Sequence, residues 1–228
     1  MPSVKHNGCR ATVIGDVVGS RRARDRGALH RRIQRVLDAV NAEHEPVRPL
    51  AITVGDEFQG SFEHVGQAVD AAFAVRLRLL PEVDTRYGLG WGAVEVLDPD
   101  RGIEDGPGWW LAREAIEWVA TTERQAALRT VRTALRSEAP DAPDAPDVPD
   151  APDALGTAAI AAALLCRDQL VGSLDERSLR ILGGLMLHQP QTELAALEGV
   201  SGSAVSQRVR ADGLAVIVAA QSELSRIR

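Results

Sequence analysis

Residues 137–155 read SEAPDAPDAPDVPDAPDAL, and no other stretch restricts the fold as much. A unit of Pro, Asp and Ala or Val recurs five times. Each proline fixes its own φ, lacks an N–H and pushes the residue before it into extended backbone. Little apolar surface is left to pack, so the segment reads as a semi-rigid, solvated linker. It divides the 228 residues into an N-terminal part, 1–136, and a C-terminal part, 156–228. Two small domains fit that length.

The linker also holds the net charge of −6: residues 1–136 carry 19 Lys and Arg against 19 Asp and Glu, and residues 154–228 carry 7 against 7. Neither part is strongly basic, which argues against tight non-specific DNA binding. No apolar run approaches the roughly 18 residues of a membrane span, so no transmembrane helix is expected. The start, MPSVKHNGCRATVIG, lacks the long apolar core of a secretory signal. Cys9 and Cys166 match no metal spacing, and a reduced cytoplasm with both thiols buried or inert fits them.

In the N-terminal part, CRATVIGD reads as a short buried strand. Leu29, Ile33, Val36, Leu37 and Val40 then form a helical stripe. RPLAITV and EFQGSF are strands joined at Gly55-Asp56, the signal of a two-residue hairpin. A second stripe runs from Val65 to Leu80, TRYGLGWGAVEVL returns as a strand, and residues 108–135 read as one or two helices. The order β-α-β-β-α-β is the split βαβ, ferredoxin-like plan of an α+β domain. In it the first two strands are parallel, with the third between them. The end of the first strand therefore lies beside the hairpin, and Asp16 is expected to face Asp56 and Glu57.

Carboxylates converging at one end of a sheet repel each other unless a cation lies between them. Mg²⁺ takes such sites, sharing them with phosphate oxygens. Asp16, Asp56 and Glu57 are thus the candidate metal ligands. Gly15, Gly19 and Gly55 would let a phosphate chain approach, and Arg21, Arg22 and Arg24 would meet its charge. The plainer alternative is an ordinary Gly-Asp turn, a capping Asp and a solvated arginine face. Trp109 and Trp110 are placed either to stack on a base or to pack a helix on the sheet, and Trp91 belongs in the core. The five histidines have no ligand spacing.

TVIGDVVGS, ITVGDEFQG and RYGLGWGAV, in that order, resemble the palm-type core of class III nucleotide cyclases and of GGDEF domains. The resemblance implies that Asp16 and Asp56 hold metal and that Arg113, in GPGWWLAREA, contacts a nucleotide. Trp109 stands where the cyclases place Asn, a departure from the catalytic set. A closer resemblance, covering most of the chain except the linker, is to the SatD family. It implies GDVVGSR, a GDEF-like hairpin, GPxxxxAREA and a C-terminal helix-turn-helix.

In the C-terminal part an Ala-rich apolar helix precedes SLDERSLRILGGLMLHQP, where Ser173 and Glu176 have capping-box spacing. QTELAALEGVSGSAVSQRVRADG then resembles a helix-turn-helix. Ala195 permits a close crossing, Gly199 a left-handed turn, Ser201 a cap, and Val205 and Val209 an anchor. The second helix would offer Ser203, Ala204, Ser206, Gln207 and Arg210 to DNA, with Arg208 nearby. Glu198 stands where such motifs are apolar. Leu214, Ile217, Val218 and Leu224 would supply either a homodimer contact or a core helix. Two readings stand at this point. One is a DNA-binding regulator that senses a nucleotide with Mg²⁺. The other is a cyclase or related two-metal phosphoryl-transfer enzyme.

Overall fold

The computed structural model describes residues 8–20, 25–138 and 154–228. Residues 139–153 of the repeat linker, and Arg21, Arg22 and Arg24, lie outside the described residues. Four strands and two helices follow the expected order, β1 (Gly8–Val17), α1 (Arg26–His44), β2 (Arg48–Val54), β3 (Glu57–Phe62), α2 (Val65–Leu79) and β4 (Thr85–Asp98), and a short unexpected strand, β5 (Ile103–Asp105), comes after them. The sheet order is β2-β3-β1-β4-β5, and every neighbouring pair along it is antiparallel. β1 and β2 therefore run the same way with β3 between them, as the split βαβ plan requires.

Strand alternation assigns the two faces of β1. Ala11, Val13 and Val17 point into a core shared with Ile33 and Leu37 of α1 and Val69 and Ala72 of α2. Ile14 points the other way, packing with Val94 of β4 and with Trp109, Ala112 and Ile116 of α3 (Pro107–Thr122). That helix lies unusually close to the sheet. A Cβ on Gly88 would stand 2.1 Å from the Ala112 carbonyl oxygen, and one on Gly90 the same distance from that of Gly108. The alternating glycines of GLGWG are thus the track on which α3 rests, while Tyr87, Leu89 and Trp91 face the opposite core. Thr12 Oγ1 fixes the seat by donating to the Gly108 carbonyl at 2.7 Å.

The helical expectation for residues 108–135 is corrected. α3 ends at Thr122, a 3-10 turn covers Ala126–Leu128, and Thr133–Ser137 is a sixth strand, β6, parallel to β4. Burial on both faces explains it: Val131, Ala134 and Leu135 meet α3 and the main core, a setting that suits a strand and not a surface helix.

Five helices complete the chain: α4 (Ala154–Gly172), α5 (Glu176–Met186), α6 (Gln191–Glu198), α7 (Gly202–Ala211) and α8 (Leu214–Leu224). They share the core of the sheet part. Ile160, Leu164 and Leu224 join the cluster under the sheet, and Phe73 and Leu77 of α2 join the cluster formed by α5 to α8. The chain's end also lies on α2, where the Gly66 N–H donates to the Ile227 carbonyl at 2.8 Å. A Cβ on Gly66 would meet the Ser225 carbonyl oxygen at 2.4 Å, so this contact needs glycine.

One more expectation changes, at the α5 cap, and three others are narrowed. Leu214, Ile217 and Leu224 are buried within the chain, so they are spent on its own core and not on a homodimer contact. The cap of α5 is Asp175, whose side chain accepts from the Ser178 N–H at 2.8 Å; the Ser173 hydroxyl instead donates to the Leu170 carbonyl. Cys166 is exposed, so of the expected buried or inert thiols it is not a buried one. Leu155–Gly172 is long and apolar enough to cross a membrane by length and composition, with mean hydropathy 1.2 over 18 residues. In this fold it packs on β6 and α8 and carries Arg167 and Asp168, both buried and ion-paired.

Candidate functional site

The hairpin forms as the sequence expects. Gly55 adopts φ 66°, the left-handed conformation that glycine enters without strain, and Val54 pairs with Glu57. Asp56 Oδ2 accepts the Val17 N–H at 3.2 Å, joining the hairpin to the end of β1. Gly19, just past β1, is left-handed too, with φ 72°. Gly15 has another role. It lies on the core face, where an added Cβ would come within 2.3 Å of the Phe58 ring, so that ring fills the space expected for a phosphate.

The acids do meet at one end of the sheet, but two of the three, Asp16 and Glu57, carry an arginine partner, while Asp56 accepts the Val17 N–H. Asp16 is the register partner of Arg86 on β4, and its two oxygens accept from Arg86 Nε at 2.8 Å and Nη2 at 2.7 Å. Glu57 accepts from both terminal nitrogens of Arg113 on α3, each at 2.8 Å, and from Gln59 Nε2 at 3.0 Å. Fork-to-fork pairing of this kind is the strongest neutralisation an arginine provides. The Arg113 hydrogen bonds hold the Glu57 carboxyl below its ordinary range, against the opposing effect of burial. A cation between these acids would have to displace guanidinium groups already seated there. Among the described residues no group of three or more His, Cys, Asp or Glu is arranged to hold a metal ion. Asp16 and Glu57 are fitted to arginine as they stand, whereas Asp56 accepts a backbone N–H.

Arg113→Ala tests this electrostatic account. Glu57 has a depressed folded-state value, so the pair's contribution to stability is complete above the ordinary carboxylate value of about 4.5. It is lost as pH falls through the folded one. The variant should move the Glu57 carboxyl titration upward toward the ordinary value, read by carbon NMR. An unmoved titration would contradict the assignment.

Beside Arg113 an open cleft of about 400 Å³ runs along the uncovered half of the sheet, lined by Arg48, Gln59, Trp109 and Trp110 among others. The Arg48 guanidinium lies over the Trp109 ring, 5.3 Å from its centroid. Trp109 is buried and its indole N–H has no hydrogen-bond partner, whereas Trp110 is exposed and donates to Asp105 at 2.8 Å. So Trp109 packs the helix on the sheet, and Trp110 is the ring at the cleft rim.

Arg86 was missed by sequence reasoning, although it completes the site. Its signal lies in register alone: β1 and β4 pair so that Asp16 and Arg86 stand opposite each other.

In the C-terminal helices, Gly199 is left-handed at φ 64° and Ser201 caps α7 by accepting from the Ala204 N–H at 3.2 Å. Val205 and Val209 are buried; Ser203, Ala204, Gln207 and Arg210 are exposed on the opposite side. Ser206 is half-buried and accepts from Arg210 Nη1 at 2.9 Å. Arg208 is committed elsewhere, donating to Asp175 at 2.6 Å and to Ser178 at 2.7 Å. The acid at 198 has a structural reason: Glu198 accepts both prongs of Arg180, at 2.7 and 2.8 Å.

The N-terminal part is thus an α+β domain on the split βαβ plan, with an acid-and-arginine end to its sheet, followed by a helical region. A family model described as the SatD family matches residues 11–143, and the chain belongs to that family. Similar solved structures include a bacterial light-regulated adenylyl cyclase, with 13% identity over 57% of this chain and 44% of that one, TM-score 0.45. The guanylyl cyclase domain of the RhoGC fusion protein from the aquatic fungus Blastocladiella emersonii shows 15% identity over 49% of this chain and 75% of its own, TM-score 0.39. Adenylyl cyclase CyaB from P. aeruginosa shows 13% identity over 48% and 71%, TM-score 0.37. The chain spans less than half the length of the light-regulated cyclase. No curated protein matches it.

Proposed function

We propose that this protein is a DNA-binding regulator whose cyclase-like part binds a nucleotide. The observation that carries the reading is α7. Its buried Val205 and Val209 fix the helix, while Ser203, Gln207 and Arg210 stand exposed along the other side. A helix anchored by one face and polar on the other is suited to the major groove, where Arg and Gln read base edges. With Arg208 engaged by Asp175, Arg210 is the charged member of that face. One such helix binds weakly, so a two-fold dimer on two half-sites is the geometry this reading requires.

The nucleotide part rests on the arginines. Arg113 and Arg86 present the fork geometry that pairs with phosphate, and the neighbouring cleft, with Trp110 at its rim, is in the size range of small-ligand sites. Mg²⁺ would join the nucleotide here only by taking Asp16 or Glu57 from its arginine, with Asp56 beside them. The enzyme reading needs Asp16 and Asp56 as metal ligands, and Asp16 is held by Arg86.

A thermal-shift screen of ATP, GTP, CTP and UTP on the full chain, with and without Mg²⁺, tests the nucleotide part. Saturation at about a hundred times Kd adds roughly 2.7 kcal/mol. For a chain of this size that raises Tm by roughly 5–10 °C. Arg113→Ala should abolish the rise. No shift with any nucleotide would remove this part of the proposal.

A further inference from the structure

Arg86 does more than hold Asp16. Its Nη1 also donates to Glu123, at the end of α3, at 2.6 Å. Glu123 in turn accepts from Arg132 at 3.1 Å, and Arg132 Nε donates to Asp84 at 2.7 Å. Asp84 accepts from Arg76 Nε at 2.8 Å, and Arg76 Nη1 donates to Asp168 of α4 at 3.0 Å. From Asp16 to Asp168 the signs alternate at every link, and each arginine bridges two acids. The chain begins at a partly exposed side chain and ends at a fully buried one.

We infer that this series of ion pairs couples the Asp16–Arg86 end of the sheet to the C-terminal helices, so that a ligand taking Arg86 alters the hold of α4 on β6. The inference rests on the nucleotide reading for the identity of the ligand, but not for the coupling itself.

The end of the series shows what would be altered. Asp168 Oδ2 accepts the backbone N–H of Arg132 at 2.7 Å and of Thr133 at 2.6 Å, and so pins the start of β6 to α4. Its neighbour Arg167 donates to Gln221 of α8 at 2.8 Å, which carries the contact to the helix after α7. Arg132 is thus tied to Asp168 through its backbone and to Glu123 and Asp84 through its side chain. A phosphate-like anion that claims Arg86 takes a donor from both Asp16 and Glu123. Glu123 then keeps Arg132 alone, and Arg132 is the residue whose position sets β6 against α4. Four acids and four arginines, Arg167 included, balance in charge, so loss of one member leaves an excess that the others must redistribute in a poorly solvated setting.

Hydrogen exchange read by mass spectrometry on the full chain tests the coupling with no ligand present. Asp16→Asn and Glu123→Gln are compared with Val94→Ala, which opens a cavity under α3 in the separate cluster of Ile14, Trp109 and Ile116. After correction for global stability, both charge variants should speed exchange at Arg132 and Thr133, and around Asp168, by about tenfold, a size usual for coupled sites. Val94→Ala should not. Acceleration confined to β1 and β4 in Asp16→Asn, or equal acceleration in Val94→Ala, would overturn the inference. Should Glu123→Gln fail to fold, Asp16→Asn, altered at a partly exposed residue, still decides it. Sodium triphosphate as a probe of Arg86 supplies the reciprocal arm: it should accelerate the same Arg132, Thr133 and α4 amides. Protection or no change there, with binding seen at Arg86, counts against the coupling. A chain that shows the coupling but binds no nucleotide would refute the nucleotide reading alone.

Discussion

Gly90→Val should unfold the sheet part or leave α3 detached from it. A Cβ at this position would lie 2.1 Å from the Gly108 carbonyl oxygen and 2.5 Å from the Ala112 backbone nitrogen. Both obstacles are main chain, so no rotamer change relieves them. α3 would have to lift from β4, exposing Ile14, Trp109, Ala112 and Ile116. Overpacking alone costs about 1–3 kcal/mol, and moving a whole helix adds the loss of that buried cluster. A fall in Tm of roughly 10 °C or more is expected at 2–4 °C per kcal/mol. Gly183→Ala is the control. It has open space around an added Cβ and lies inside α5, so it should be neutral or raise stability by up to about 1 kcal/mol. Equal behaviour of the two variants in a thermal melt would contradict the close seating of α3.

Asp168→Ala is expected to be the other severe substitution. Its carboxylate is fully buried, accepts two backbone N–H groups, and pairs with Arg76. Arg76 is itself buried; burial works against its charge, and Asp168 and Asp84 more than offset this. Removing the acid takes the acidic partner from buried Arg167 and one of two from Arg76, and strands two backbone donors, a loss of about 3–5 kcal/mol, or roughly 6–20 °C in Tm. Asp168→Asn keeps the shape but not the charge and should fall between. A melt for Asp168→Ala within 2 °C of the parent chain would mean that water reaches these groups and that the pairing carries little.

How far the sequence reaches is clear at the hairpin. Element order alone placed the end of β1 beside the β2–β3 turn, and Asp56 does bond to Val17 there. The partners of the acids were not legible. Whether Asp16 and Glu57 face a cation or an arginine depends on the register of β4 and on how closely α3 sits, both set by tertiary contact. The glycines of GLGWG held that information, since three glycines alternating on one face of a strand imply a helix laid directly on it. β6 escaped because TVRTAL is short and reads equally as a helix end, and its strand state comes from burial on both faces. The apolar residues of α8 told of burial but not of the partners, which are the chain's own α2, α4, α5 and α7. In α7 the opposite holds. Ser201, Val205 and Val209 fix the cap and the anchor locally, so the exposed face could be read from the sequence.

The central claim, DNA recognition by α7, is tested most directly by fluorescence anisotropy of the full chain on a duplex selected from a random library, with Arg210→Ala and Gln207→Ala alongside. The account predicts an enriched sequence, binding that weakens steeply with salt, and a loss of roughly 5–150-fold for each variant, the size of one base contact. No enriched sequence, or both variants binding as tightly as the parent chain, would contradict it.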